Sequence, residues 1–203
     1  RPGVTVRLNF AASGVLLQQI ANGAPADLLA SADQETMDRG IAQQLLDPTT
    51  RRDFAANTLV VVAPAGSPVV LSRAADLAAP AVRRIALGKP ASVPAGRYAR
   101  QVLERGALWP QVEARLVFAD SVRQVLDYVA RGEVEAGFVY RTDALLMPGK
   151  VDIRFTASGH EPVTYPLAVV AGSRQAALAK DFAAFVLGNE AQAVLARHGF
   201  ARP

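Results

Sequence analysis

TLVVVAP, residues 58–64, is a nearly continuous apolar run that decides the fold. An apolar run without alternating polar positions is typical of a strand buried on both faces, as in a parallel sheet covered by helices. A second run of this kind is YPLAVVAG, residues 165–172. Because the two runs bracket the middle of the chain, we expect them to be the crossovers through which the chain leaves one lobe and later returns to it.

Outward from these runs, strand and helix patterns alternate along almost the whole chain. Further strands are predicted at 4–11, 26–31, 84–88, 114–118, 135–140 and 151–156. Helices are predicted at 14–23, at 33–42 with Asp33 as the N-cap, and at 95–106, 121–131, 174–187 and 189–197. Alternating units favour a mostly parallel sheet with helices on its faces. We therefore expect an α/β protein with a discontinuous first lobe (1–60 plus 165–203), a second lobe (61–164) and a cleft between them.

The composition is that of a globular protein and argues against nucleic acid as a partner and against a membrane-spanning segment. Of the 203 residues, 51% are hydrophobic, and there is no low-complexity run. The net charge of +4 comes from scattered basic residues, which do not form a nucleic-acid surface but would attract a small anion. The absence of cysteine excludes disulfides, thiolate metal sites and a cysteine nucleophile. Since no apolar run approaches ~18 residues, we expect no membrane-spanning segment.

The sequence offers little for catalysis. Its two histidines are His160, in the loop sequence ASGHEP, and His198, near the end of the last predicted helix. Both patterns are typical of solvated side chains. No G-x-S-x-G, H-E-x-x-H or G-x-x-x-x-G-K-S/T motif occurs. We therefore expect no enzymatic activity, no cofactor and no direct metal ligands.

Small or hydroxyl residues mark four places where a predicted strand gives way to a helix. These junctions are AASG (11–14), SVPAG (92–96), ADSV (119–122) and VYRTDA (139–144). In open α/β folds the carboxyl ends of strands form the ligand crevice. A helix N-terminus adds unpaired N–H groups and a partial positive charge, which bind an anion without a cationic side chain. One junction alone is ordinary helix capping, but several converging on one cleft indicate an oxyanion site.

Along these junctions the sequence resembles the periplasmic molybdate-binding proteins, the substrate-binding components of molybdate ABC importers. The resemblance is colinear over essentially the whole chain and is carried by GAPADLLASAD (23–33), VPAGRYA (93–99) and GFVYRTDA (137–144). It implies the type II periplasmic binding protein fold, with two α/β lobes and two crossover strands. It also implies that the ligand is molybdate or tungstate, delivered to an ABC permease in the inner membrane. We accordingly expect a periplasmic protein, acting as a monomer.

The resemblance implies four residues that contact the oxyanion. Ser13 would donate its hydroxyl and its backbone N–H. Ala95 and Val122 would donate backbone N–H groups from the first turns of their helices, and Tyr140 would donate its phenol O–H. All are neutral donors, and they would contact the oxygens of molybdate rather than the metal itself.

One departure from the family pattern concerns the start of the chain. The family opens with a strand that ends in a serine junction, followed by a helix, and this serine is a further ligand. Here Arg1 falls directly before what would be the second strand. We expect the sequence to be trimmed at this end, and otherwise a weaker affinity from an incomplete set of donors.

Two other functions remain open at this point. Effector-sensing domains of bacterial transcription regulators share the two-lobed architecture, although they normally follow a helix-turn-helix that is not found in these 203 residues. An enzyme on the same scaffold would need a base near a candidate nucleophile, and no motif supplies one.

Overall fold

The computed structural model describes residues 3–203, which form helices and strands in alternation. The helices are α1 (Ser13–Ala21), α2 (Gln34–Ala42), α3 (Pro94–Arg105), α4 (Trp109–Val112), α5 (Val122–Ala130), α6 (Arg141–Ala144), α7 (Ala176–Leu187) and α8 (Asn189–Arg197). The strands are β1 (Leu28–Ala30), β2 (Arg52–Ala56), β3 (Leu59–Pro64), β4 (Ile85–Gly88), β5 (Leu116–Ala119), β6 (Ala136–Tyr140), β7 (Val151–Thr156) and β8 (Thr164–Val169). The predicted helices are all present, within two residues of their expected ends. β2 and α4 were not predicted, and α6 was anticipated only as the junction at 139–144.

The strands form two sheets, one in each lobe. The first has three strands in the order β1-β8-β2, and the second has five in the order β5-β4-β6-β3-β7. The prediction of a mostly parallel sheet is wrong: β4 lies parallel to β5 and β6, and the other pairs are antiparallel. Every antiparallel pair includes β3 or β8, the strands with which the chain enters a sheet from the other lobe. A strand that is buried on both faces is apolar whether it runs parallel or antiparallel to its neighbours. The sequence therefore does not reveal the direction of β3 or β8.

Strand β3 explains why an uninterrupted apolar run occurs at 59–63. Its side chains alternate between two cores: Val61 packs into one face of the five-stranded sheet, while Val60 and Val62 pack into the other. Both faces are therefore covered, α3 lying on the first and α5 on the second. A separate core in the first lobe joins α1, α2 and β8 through Leu17, Met37 and Ala168.

The two apolar runs each lie within a single sheet. β3 pairs only with strands of the five-stranded sheet, and β8 only with β1 and β2. The chain therefore changes sheets in the short connections between β2 and β3 and between β7 and β8. The lobe limits 1–60 plus 165–203 and 61–164 stay a prediction, and residues 1–2 of the first lobe lie outside the described residues.

The predicted strand at 4–11 does not form in the structure. Residues 4–10 have no regular secondary structure, and the alternating side chains of Val4, Val6, Leu8 and Phe10 are exposed, Phe10 by 83%. A strand requires a neighbour to accept and donate its backbone hydrogen bonds. Among residues 3–203, no strand lies beside this segment, so the period-2 pattern is present without the ladder that would make it a strand.

Candidate functional site

Ser13 begins helix α1 and lies at the interface of the two lobes. Its side chain is buried, and its Oγ accepts a hydrogen bond from the Ala32 N–H at 3.0 Å. A hydroxyl carries one donor and two acceptor lone pairs. Because the Ala32 N–H occupies a lone pair, the hydroxyl proton of Ser13 is available for another acceptor.

Tyr140 is the last residue of β6 in the second lobe, and its side chain contacts Ala32 of the first lobe, which also binds Ser13. Its phenol O–H donates to the Ala32 carbonyl at 3.3 Å. The ring is buried and stands edge-on to Tyr165, with centroids 5.7 Å apart. Burial, with Tyr165 next in effect, raises the pKa of Tyr140 well above 10. The phenol therefore keeps its proton at neutral pH and acts as a donor.

Ala95 is the second residue of α3 and is fully buried. Helix α3 begins with Pro94, and its N-cap is Val93, whose side chain has no acceptor to offer. Glycine allows the close packing that positions this helix, since a Cβ on Gly96 would overlap the Gly88 carbonyl oxygen at the end of β4. First-turn N–H groups have no partner within a helix, so the Ala95 N–H is a donor at the end of β4.

Val122 is the first residue of α5, at the end of β5. The preceding Ser121 caps the helix by accepting from the Gln124 N–H at 3.2 Å, which leaves the Val122 N–H without an intrahelical partner. The Val122 side chain packs against the apolar cluster that contains Ala95 and Tyr140. Three of the four predicted residues thus share one apolar cluster, which also includes Ala55 and Tyr165 of the first lobe, and Ser13 joins Tyr140 across the interface through Ala32. That these four bind an oxyanion stays a prediction.

Further contacts hold the lobes together around these residues. The Gly14 N–H donates to the Ser92 carbonyl at 3.1 Å, and a Cβ on Gly14 would come within 2.7 Å of that oxygen. Arg97 of α3 forms a buried ion pair with Asp33, the N-cap of α2. Sequence analysis predicted Asp33 as a cap, which its 3.2 Å contact with the Thr36 N–H confirms. It missed the pairing with Arg97, because no local pattern links positions 64 residues apart.

The two histidines have neighbours other than the four predicted residues. His160 contacts the backbone of its own loop, at Ala157 and Glu161, and His198 lines a cavity of about 190 Å³ with Asp143 and Phe200. Burial raises the pKa of Asp143 to about 6. Within residues 3–203, no group of three or more His, Asp or Glu side chains is arranged to hold a metal ion. None of the helices in that range has both the length and the apolar character to cross a membrane.

Comparison with known proteins identifies the family to which the chain belongs. Residues 1–201 match the family of bacterial extracellular solute-binding proteins, and the chain belongs to that family. It is 38% identical to the molybdate-binding protein ModA of Escherichia coli over 203 residues, which cover 98% of this chain and 79% of the relative.

Solved structures agree with the fold. The periplasmic molybdate-binding protein of Azotobacter vinelandii superposes with a TM-score of 0.87 at 28% identity, covering 100% of this chain and 89% of that protein. The sulfate-binding protein SubI of Mycobacterium tuberculosis, at 22% identity, superposes with a TM-score of 0.86 over 99% of this chain and 77% of its own, a likeness of fold alone. The resemblance stated from the sequence and the two-lobed type II periplasmic binding protein fold are both confirmed.

Proposed function

We propose that this protein is the substrate-binding component of an ABC importer and that it captures molybdate or tungstate between its two lobes. The observation that carries the proposal is the meeting of Ser13 and Tyr140, one from each lobe, on the backbone of Ala32. Ala95 and Val122, at the N-termini of α3 and α5, belong to the same apolar cluster as Tyr140. The identity to molybdate-binding relatives supports the choice of ligand.

Neutral donors suit a tetrahedral dianion in a buried site. Helix N-termini supply fixed N–H dipoles and a partial positive charge, and these need not be stripped of water as a lysine would be. Hydrogen bonds to a charged acceptor are about twice as strong as those between neutral groups. Such donors contact the oxygens of the anion rather than the metal. A rigid set of donors also fixes the cavity size, which separates molybdate from the smaller sulfate but hardly from the nearly isosteric tungstate.

Binding requires one hydrogen bond to be exchanged. The single O–H of Tyr140 is directed at the Ala32 carbonyl, at a distance long for an O–H···O bond. An anion accepts more strongly than a carbonyl, so the phenol turns toward the ligand when it enters. Ser13 can donate without giving up its bond from the Ala32 N–H.

The remaining expectations follow from this role. We propose that the protein works as a monomer without a cofactor or enzymatic activity, that it is periplasmic, and that it passes its ligand to an inner-membrane permease. The description of its family as extracellular solute-binding proteins supports the location. No observation on the described residues favours the regulatory alternative.

Titration calorimetry with molybdate, tungstate, sulfate and phosphate tests the ligand. We expect tight binding of molybdate and tungstate and weak or undetectable binding of sulfate and phosphate. Tight binding of sulfate with none of molybdate would contradict the proposal.

A further inference from the structure

Asn57 lies in the connection between β2 and β3, where the chain passes from one sheet to the other. Its backbone N–H donates to the Val163 carbonyl at 3.0 Å, in the return connection between β7 and β8. Its side-chain oxygen accepts from the Thr58 N–H at 2.8 Å. The two N–H groups of its amide donate to the Thr142 hydroxyl at 2.8 Å and to the Tyr165 phenol oxygen at 3.0 Å. Asn57 therefore joins both connections to α6 and β8.

The partners of the Asn57 amide fix its orientation. A backbone N–H can only donate, so the side-chain atom that faces the Thr58 N–H is the oxygen, and the other is the nitrogen. An amide nitrogen also can only donate. The Tyr165 oxygen therefore accepts from Asn57, and the phenol proton of Tyr165 is left for another acceptor.

The acceptor for the Tyr165 proton is Tyr140. The two side chains are hydrogen-bonded to each other, and their rings stand edge to face with centroids 5.7 Å apart. The Tyr140 proton is directed at the Ala32 carbonyl, which can only accept. The proton between the two phenols therefore belongs to Tyr165. The hydrogen bonds run in one direction, from Asn57 through Tyr165 to Tyr140, and this chain of bonds is the phenol relay.

The middle residue of the phenol relay is held firmly. The Tyr165 side chain is buried, and its ring stands edge-on to Phe200, with centroids 5.7 Å apart, and packs against Phe54 at 6.2 Å. Burial raises the pKa of Tyr165 above its ordinary value, and the hydrogen bond from Asn57 opposes part of the rise. The Tyr165 phenol therefore keeps its proton at neutral pH and remains a donor.

From this arrangement we propose that Asn57 and Tyr165 are positioning residues for Tyr140, which direct its O–H at the bound anion and make it a stronger donor. This inference rests on the proposed function for the identity of the ligand. A phenol that accepts a hydrogen bond becomes a better donor, because bonds in a chain polarise one another. The bond from Tyr165 also removes Tyr165 as an acceptor for the Tyr140 proton. That proton therefore moves only between the Ala32 carbonyl and the anion.

Two conservative variants separate the phenol relay from packing. Tyr165→Phe removes the phenol hydroxyl and keeps the ring. Asn57→Asp keeps the oxygen that accepts from the backbone but replaces the donor to Tyr165 by an acceptor, so the Tyr165 proton turns away from Tyr140. Tyr128→Phe on α5 is the matched control, because its hydroxyl belongs to a separate hydrogen bond within that helix.

The first measurement is the affinity for molybdate by titration calorimetry. Loss of one buried hydrogen bond should raise Kd about fivefold in Tyr165→Phe. Kd should rise further in Asn57→Asp, which also adds a negative charge, and should not change in Tyr128→Phe. In a Tyr140→Phe background, Tyr165→Phe should change Kd less than twofold, because the relay then has no donor to act on. Equal losses in the two backgrounds would mean that Tyr165 acts through packing, which overturns the proposal.

The second measurement needs no ligand. The chain has four tyrosines, so carbon-13 labelling of the phenol carbon gives four NMR signals, which single tyrosine-to-phenylalanine variants assign. We expect Tyr165→Phe and Asn57→Asp each to shift the Tyr140 signal and to leave the Tyr128 signal in place. A Tyr140 signal that neither variant moves overturns the phenol relay. If the parent protein does not bind molybdate, the proposed function fails, and the NMR signals still decide whether the relay exists.

Discussion

Ser13 and Tyr140, which come from opposite lobes, hydrogen-bond to the two backbone groups of a single residue, Ala32. The Ala32 N–H donates to the Ser13 hydroxyl, and the Ala32 carbonyl accepts from the Tyr140 phenol. The side chain of residue 32 takes no part in either bond. The Tyr140 side chain of the second lobe therefore contacts the backbone of the first lobe at Ala32, and the donors proposed for the oxyanion lie on both sides of this contact.

Removing either side-chain donor should weaken molybdate binding. Ser13→Ala and Tyr140→Phe each delete one buried hydroxyl, and the expected loss is about 1–3 kcal/mol of binding free energy, measured by calorimetry. Matched controls are Ser173→Ala, at a half-buried position between β8 and α7 where the hydroxyl donates to Asp27, and Tyr128→Phe on α5, where the hydroxyl accepts from Gln124. Unchanged affinity in both site variants would place the site elsewhere.

Gly14→Ala should lower affinity without lowering the melting temperature of the free protein. The new Cβ would press against the Ser92 backbone of the other lobe, which cannot move aside as a side chain could. Within α1 itself alanine is the better helix former, by roughly 0.5–1 kcal/mol. Gly40→Ala is the contrasting variant, because its Cβ would meet Leu46 and Leu17 inside the first-lobe core. Calorimetry and thermal melting should separate the two: Gly14→Ala loses affinity and Gly40→Ala loses stability.

Asp143 should make the folded protein less stable as the pH rises from about 4 to about 6. Burial raises its pKa from 3.8 to about 6, with Arg123 opposing the shift. The folded state then binds a proton more tightly than the unfolded state, so stability falls through this window and is level above it. A rise of this size corresponds to roughly 3 kcal/mol. Asp143→Asn should therefore be more stable than the parent in urea at pH 7.5 and about equal to it at pH 4. An equal difference at both pH values would mean that ionisation is not the cause.

The apolar side chains of residues 4–10 should promote self-association rather than stability. Leu8 is 68% exposed and Phe10 83% exposed. Exposed contiguous apolar surface favours association, whereas replacing exposed side chains usually changes stability by no more than about 0.5 kcal/mol. In the chain of residues 1–203, the pair Leu8→Ser/Phe10→Ser should reduce light scattering at high protein concentration and leave the melting temperature unchanged. A clear drop in melting temperature would show that these side chains are buried in solution.

The sequence was informative where structure is local and less so where it is not. The starts of α2, α3 and α5 could be predicted because caps and apolar periodicity lie within a few residues of each other. The direction of the strands could not be predicted, because β3 is buried on both faces and would be equally apolar in a parallel or an antiparallel sheet. Apolar and other side chains do alternate at residues 4–10, but a strand also needs a neighbouring strand for its backbone hydrogen bonds. Ala32 and Arg97 were missed because one acts through its backbone and the other through a distant partner.

The strand order has a consequence for the order in which the chain can fold during synthesis. β8 is the central strand of the first sheet, so β1 and β2 have no sheet partner until residues 164–169 have been made. All five strands of the second sheet lie between residues 59 and 156. Domains often fold N-terminal first as they leave the ribosome. Here the second lobe can complete its sheet before β8, the central strand of the first-lobe sheet, has been synthesised. β1 and β2 must therefore remain unpaired for more than a hundred residues of translation, and we expect a chaperone to be of most use during that interval.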